Sequence, residues 1–359
     1  MSDRRTEQRL AYSRFIKRKR ATFVIAVGAT VLVALVAISA GSLNIPIPEV
    51  VQALFGNGDS MYQTAVVNIR LPRILAAILI GAILASSGVV MQCVLQNPLA
   101  SASTLGVSQG AAFGAAVGLV VFGGGIVNSD SAATAISITN PYVVTSCAFV
   151  FGCISTAVII LLSQFRKDLG STGLILAGVA LSSLFTGGLT LLQYFADETK
   201  ISSIVFWTFG NLGSAGWIEI AILAFVLGIS LFYYLFNRWN YNAMESGAET
   251  AKSLGVNSRV VMLVSLTICS LSAAIAVSFV GIISFVGLIA PHIMRRFVGN
   301  DFRYLLPCSA IAGALLLILA DTFARLIIAP VILPIGAITS FLGAPMFLFL
   351  LLKGFKTNV

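Results

Sequence analysis

The chain has 359 residues, of which 58% are hydrophobic and 10% charged, with a net charge of +9 and a mean hydropathy of +0.99. A water-soluble domain carries about 25% charged and about 45–50% apolar residues. This composition excludes a cytosolic enzyme, a secreted binding protein and a nucleic-acid-binding domain. The solvent for most of the chain is a lipid bilayer. Ten helices of about 20 residues each would use roughly 56% of it, which leaves room for one membrane domain and little else.

The elements expected in chain order begin with a basic cytoplasmic tail, residues 1–20, which holds eight Lys and Arg. The apolar run 21–42 follows. It exceeds the roughly 7–15 residues of a signal h-region and reads as a retained first span. A short surface helix is expected near 48–55, with Pro48 and Glu49 at its start. Further spans are expected at 72–95, 106–125, 141–163, 172–195, 216–236, 260–280, 282–297, 305–328 and 334–352. Between them, residues 123–140 form a polar loop without Lys or Arg. Residues 201–212 are apolar but too short to cross, so an interfacial or re-entrant helix is expected there. Within the connection 237–259, an amphipathic helix is expected over 243–254, stopped by Gly255.

Sidedness follows from charge placement. With the N-terminus inside and ten alternating spans, 18 of the 22 Lys and Arg face the cytoplasm, and the C-terminus does too. Arg70, Arg73, Arg325 and Lys200 are left outside. Asp321 and Arg325 lie four residues apart on one helix face and can neutralise each other. The polar stretch Gln92, Gln96, Asn97, Pro98 leads into a run of small residues with Gly106 and Gly110 and reads as a bend beside a pathway. Pro291 interrupts the eighth span and frees a backbone carbonyl for a polar side chain. His292, the one histidine, beside it reads as structural before it reads as a gate.

Chemistry of its own is not encoded. The chain has no Gly-x-x-x-x-Gly-Lys-Ser/Thr loop for phosphates. Five single cysteines and one histidine offer no metal-ligand spacing, so no metal or cofactor is expected. A secondary transporter would ordinarily place a carboxylate in mid-membrane, and an intramembrane enzyme would need a His, Ser or carboxylate constellation. Neither is found, which leaves both as weaker alternatives.

Ordered motifs then carry a resemblance. They are Leu71-Pro72-Arg73, Met91-Gln92, Asn97-Pro98-Leu99-Ala100, Leu105-Gly106-Val107-Ser108, Gly247-Ala248-Glu249-Thr250-Ala251-Lys252-Ser253-Leu254-Gly255, Ala290-Pro291-His292, Asp321-Thr322-Phe323-Ala324-Arg325 and Gly343-Ala344-Pro345. From about residue 60 onward the chain resembles the FecCD-type permeases, the membrane subunits of ABC importers for iron–siderophores, haem or vitamin B12. It departs from them at Ser101-Ala102-Ser103 and at Ser246. The resemblance implies an all-α integral membrane protein of the type II ABC importer fold, with ten transmembrane helices and both termini cytoplasmic. It implies two ATPase subunits that carry ATP and magnesium, a periplasmic or lipid-anchored solute-binding protein, and a second permease subunit in a bacterial or archaeal cell membrane. Ala243, Met244, Glu245, Gly247, Ala248, Glu249, Ala251, Leu254 and Gly255 take the place of the ATPase-coupling segment. Arg70, Arg73 and Arg325 take that of binding-protein docking. Gln92, Asn97, Pro98, Gly106, Gly110, Pro291 and His292 are pathway or packing candidates. A ferric siderophore is the first expectation for cargo, with haem and cobalamin open.

Overall fold

The computed structural model describes residues 2–41, 45–57, 59–124, 140–166, 170–329 and 331–352, and every regular element among them is helical. Most of the expected polar loop 123–140, together with Lys167, Lys353 and Lys356, lies outside the described residues.

Helix α1 (Ser2–Ser39) continues the basic tail directly into the first apolar run. Helix α2 (Ile47–Leu54) starts with Pro48 and Glu49 in its first turn, as expected. Helix α3 (Ser60–Gln63) is capped by Asp59, whose carboxylate accepts from the Met61 amide at 3.0 Å. It passes through a wide π-helical turn, Thr64–Arg70, into α4 (Leu71–Val94). Pro72 brings no N–H and clashes with the preceding turn of a regular helix, so the chain widens just before it. The second span is therefore one continuous helix from residue 60 to 94, longer at its outer end than hydropathy indicated.

The remaining elements are α5 (Val107–Val120), α6 (Pro141–Phe165), α7 (Ser171–Phe195), α8 (Glu198–Phe209), α9 (Trp217–Phe236), α10 (Arg238–Glu245), α11 (Ala248–Ser253), α12 (Ser258–Val280), α13 (Val286–Val298), α14 (Phe302–Leu326) and α15 (Ile335–Leu352). Each of the ten expected span positions holds a helix. Among the described residues, seven helices are long and apolar enough to cross a bilayer; α5 and α15 are shorter apolar helices, and α13 has 13 residues.

Helix α4 is the axis of the bundle, with 83% of its most apolar window buried. Small residues make that possible. A Cβ on Gly81 would meet the Gly313 backbone in α14, and one on Gly88 would meet the Gly287 carbonyl at the start of α13. Without side chains at these crossings, backbones approach closely and dispersion contacts accumulate. The outer shell is the opposite case. Helices α1, α7 and α9 are 17%, 17% and 22% buried over the same window length, and they expose Leu, Ile, Val and Phe. Such a surface suits lipid or a second protein and not water.

Helix α8 is the short apolar segment expected near 201–212. Its Ile204 packs with Ala111, Ala115 and Val277 of α5 and α12. The Asn211 amide beyond it donates to the Val280 carbonyl at 2.7 Å. The segment is wedged between helices rather than laid flat on the surface.

One expected element is corrected. The helix expected over 243–254 is two helices, α10 and α11, and the first begins five residues earlier. Gly247 sits between them at φ +109, a left-handed conformation that favours glycine, and it breaks the rod into two.

Candidate functional site: an inner loop and an outer charge cluster

The inner loop is fastened to the bundle by hydrogen bonds from named side chains. Cys93 in the last turn of α4 donates its thiol to the Tyr241 carbonyl at 3.4 Å. Gln96, just past that helix, donates Nε2 to the Met244 carbonyl at 3.1 Å. Gln96 adopts φ +45, a conformation rare outside glycine that sits at the C-terminal cap of a helix. The Tyr241 hydroxyl is 2.8 Å from Ser265 Oγ in α12. Burial pushes that hydroxyl's pKa up, so it stays protonated. Asn242 receives the Phe302 amide at 2.9 Å and donates to Asp301 Oδ1 at 3.3 Å, which ties the loop to the start of α14. Burial alone would raise the Asp301 carboxyl, but Arg303, the Arg303 amide and Asn242 together hold it below the usual carboxylate range.

This fastening gives the loop two faces. Ala243, Met244 and Ala251 point inward and are buried. Glu245, Glu249, Leu254 and Gly255 face out, and Leu254 is 67% exposed. Ala248 begins α11 directly after Gly247. The outer face is a short ridge of two carboxylates and a leucine, suited to a protein partner.

Gln92 and Pro291 are joined by a simple cause. Pro291 has no N–H, so the Gly287 carbonyl one turn earlier in α13 loses its helical donor. Gln92 Nε2 in α4 supplies a donor at 3.3 Å, and Gln92 Oε1 accepts from Arg295 Nη1 at 2.6 Å. The freed carbonyl is thus satisfied by a glutamine from another helix, and the neighbouring His292 lies half-buried on α13.

The segment 95–106 between α4 and α5 is a packed corner. Asn97 Oδ1 accepts from the Leu99 amide at 2.8 Å, and Pro98 is half-buried beside it. Gly106 takes φ +82 where Ser155 Oγ donates to the Leu105 carbonyl at 2.9 Å. Gly110 lets α5 approach the Phe151 carbonyl of α6. Gln92, Asn97, Pro98, Gly106, Gly110 and Pro291 all lie at helix–helix contacts or in the corner that joins α4 to α5.

At the outer end, the three arginines expected to dock a binding protein are buried among acceptors of this chain. Arg73 donates from Nε to Asp321 Oδ1 at 2.8 Å with Nη2 also 2.8 Å away, and Arg325 Nε meets Asp321 Oδ2 at 2.9 Å. Side-chain exposures are 10% for each arginine and 2% for the aspartate. Arg325 also donates to the Ala37 and Ala40 carbonyls, both at 3.2 Å. Arg70 donates to the Ile38 and Ser39 carbonyls at 2.7 and 3.0 Å. The last carbonyls of α1 have no helical donors and carry partial negative charge. Two arginines satisfy them, and one carboxylate is shared by two more guanidinium contacts. The pairing of Asp321 with Arg325 follows the four-residue spacing; the arrival of Arg73 was not visible in it.

A model described as the FecCD transport family matches residues 29–353. The chain belongs to this family. An archaeal relative from Methanocaldococcus jannaschii, assigned as an ABC transporter permease protein, is 50% identical over 96% of this chain and 98% of its own length. The hemin transport system permease protein HmuU of Yersinia pestis is 36% identical over 80% of this chain and 82% of its own. A solved inward-facing structure of a transporter assigned to the metal-chelate ABC type superposes with a TM-score of 0.78 at 31% identity, covering 92% of this chain and 98% of that one. As a FecCD-family chain the protein is a multi-pass membrane permease subunit of an ABC transporter, not a catalytic enzyme. Within this FecCD permease, the residues that sequence reasoning missed are Tyr241, Asn242, Ser265 and Asp301. Their signal was available only as polar residues crowded at the inner helix ends.

Proposed function

We propose that the chain forms half of the translocation pathway of a binding-protein-dependent ABC importer, with ten membrane segments and both termini cytoplasmic. A separate ATPase pair supplies the work through loop 237–259. The observation that carries this reading is the attachment of that loop. Its inner face is bonded through Tyr241, Met244 and Asn242 to the inner ends of α4 and α14, while its outer face is open to a partner. A push on Leu254 and its neighbours therefore arrives at the central helix. ATP and magnesium belong to the partner; this chain's residues transmit displacement.

A groove of about 350 Å³ lies between the start of α5 and α7, lined by Ser103, Thr104, Gln109, Ser182, Ser183 and Thr186. Polar side chains on an otherwise lipid-like helix face suit an enclosed path. A second permease subunit facing this groove would enclose it. The outer arginines act here by holding α1, α4 and α14 together. Docking of a binding protein through them would require its carboxylates to displace Asp321 and the α1 carbonyls.

The proposed cargo is an iron chelate, a ferric siderophore first. The relatives' own names span hemin, iron(3+)-hydroxamate, Fe(3+)-citrate, molybdate and vitamin B12, which favours a metal chelate or metal oxyanion. The test is uptake by proteoliposomes holding this chain, its ATPase and its binding protein, with labelled ferric siderophore, haem, cobalamin and molybdate compared. ATP-dependent accumulation of ferric siderophore is expected. Accumulation of one of the others instead would replace the cargo, and removal of residues 245–254 without loss of coupling would remove the loop's role.

A further inference from the structure

Five side chains from α1, α10 and α14 form a ladder of alternating cations and aromatic rings at the inner end of the bundle. Lys19 Nζ lies 5.2 Å from the centre of the Tyr304 ring. The Arg303 guanidinium lies 5.9 Å from that same ring and 5.3 Å from the ring of Trp239. The Arg238 guanidinium lies 5.8 Å from the Trp239 ring. Each ring therefore carries two cations, which its π face attracts. Arg303 also donates Nε and Nη2 to Asp301 Oδ2 at 3.0 and 2.7 Å. That carboxylate offsets one charge of the three and leaves the ladder positive. Like charges gathered at the edge of a low-dielectric medium repel one another, and an anion placed among them removes the repulsion.

The ladder stands at one membrane depth. Lys19 comes two residues before the first apolar run, Arg238 two residues after the end of α9, and Arg303 is the second residue of α14. Lys19 is 5% exposed and sits against the turn from α13 to α14, 3.9 Å from where a Cβ on Gly299 would lie. Trp239 is exposed, and Phe232 and Phe236, at helical spacing before it on α9, are exposed too. Trp and Tyr favour the headgroup level, and Lys and Arg beside them attract anionic lipids. A cytoplasmic protein would match the charges but not the apolar surface next to them. A phospholipid, with its phosphate at the ladder and its acyl chains along α9, matches both. We propose that the ladder binds the phosphate of an anionic phospholipid from the inner leaflet. Lys19 and Arg238 supply charge to the phosphate, while Arg303, held by Asp301, keeps the two rings between them. The bound lipid ties α1 to the starts of α10 and α14. The site requires these three helices to end on one side of the bilayer and does not depend on loop 237–259 meeting an ATPase.

The experiment titrates the purified full chain in detergent with dioleoylphosphatidylglycerol, dioleoylphosphatidylcholine and inorganic phosphate. Bound lipid is counted by native mass spectrometry, and the unfolding temperature is followed alongside. Phosphatidylglycerol is expected to bind and to raise the unfolding temperature, with little effect from the other two. In Lys19→Gln its affinity should fall about fivefold, the weight of one basic group at a lipid surface. Lys17→Gln removes an equal charge from another face of α1 and should leave the affinity within about twofold. Should Lys19→Gln not fold, Arg238→Gln is read the same way, with the same expected loss. Equal binding of phosphatidylcholine, or equal losses in the Lys17 and Lys19 variants, overturns the site. The same stabilisation by inorganic phosphate would assign the ladder to a free anion and overturns the lipid. If no lipid binds and Lys19→Gln instead loses the ATPase on assembly, the ladder is a protein contact and the proposal falls.

Discussion

The two ends of the bundle are held by different chemistry. At the outer end, one aspartate and three arginines are buried together, and two of the arginines also cap the end of α1. At the inner end, the loop is held by a thiol, an amide and a hydroxyl, mostly on backbone carbonyls. A buried charge that loses its partner costs about 3–5 kcal/mol, whereas a neutral hydrogen bond contributes about 1 kcal/mol. The outer end is therefore expected to stay fixed, and the inner end to yield to a partner. A lever needs both, a firm end and a movable one.

Four changes break or sharpen that contrast. The largest effect is expected from Asp321→Ala, which strands Arg73 and Arg325. Stability in detergent should fall by about 3–5 kcal/mol, read by thermal or denaturant unfolding. A loss below 1 kcal/mol would mean the outer cluster is not the firm end. Next is Gly88→Val, which forces a branched side chain into the Gly287 carbonyl. A cost of about 1–3 kcal/mol or more is expected, with reduced yield of folded protein. Wild-type stability there would show that the α4–α13 crossing is loose. Third is Tyr241→Phe, which removes the hydroxyl facing Ser265. A loss of about 1 kcal/mol is expected, together with a larger fractional loss of uptake than of ATPase retention. Equal losses in both would assign Tyr241 to assembly alone.

The smallest effect is expected from Asp301, whose folded-state pKa is lowered. A carboxylate of this kind stabilises the fold above its unfolded value, about 3.9, and that contribution disappears as pH falls through the lower folded value. Thermal stability should therefore decline below about pH 4 in the parent and less steeply in Asp301→Asn. Identical slopes would show that its contacts with Arg303 and Asn242 do not matter to stability.

Much of the fold was legible because the bilayer imposes it. Long apolar runs fixed where helices lie, and the spacing of Pro48 and Glu49 fixed a short one. Features that depend on distant partners were not legible. Pro291 announces a freed carbonyl, but the donor that reaches it is Gln92, 195 residues away in sequence. Asp321 and Arg325 announce a pair, but Arg73 arrives from 248 residues away and turns supposed outward cations into a buried cluster. The split of the loop into α10 and α11 was masked by charged residues at helical spacing across Gly247, whose left-handed backbone appears only in three dimensions.

The most direct test places the purified chain in liposomes and measures accumulation of labelled ferric siderophore against a gradient, stepwise with the ATPase, the binding protein and internal ATP. Uphill uptake is expected only when all are present. Accumulation by the chain alone, without nucleotide, would contradict an account in which the inner loop receives its motion from another subunit.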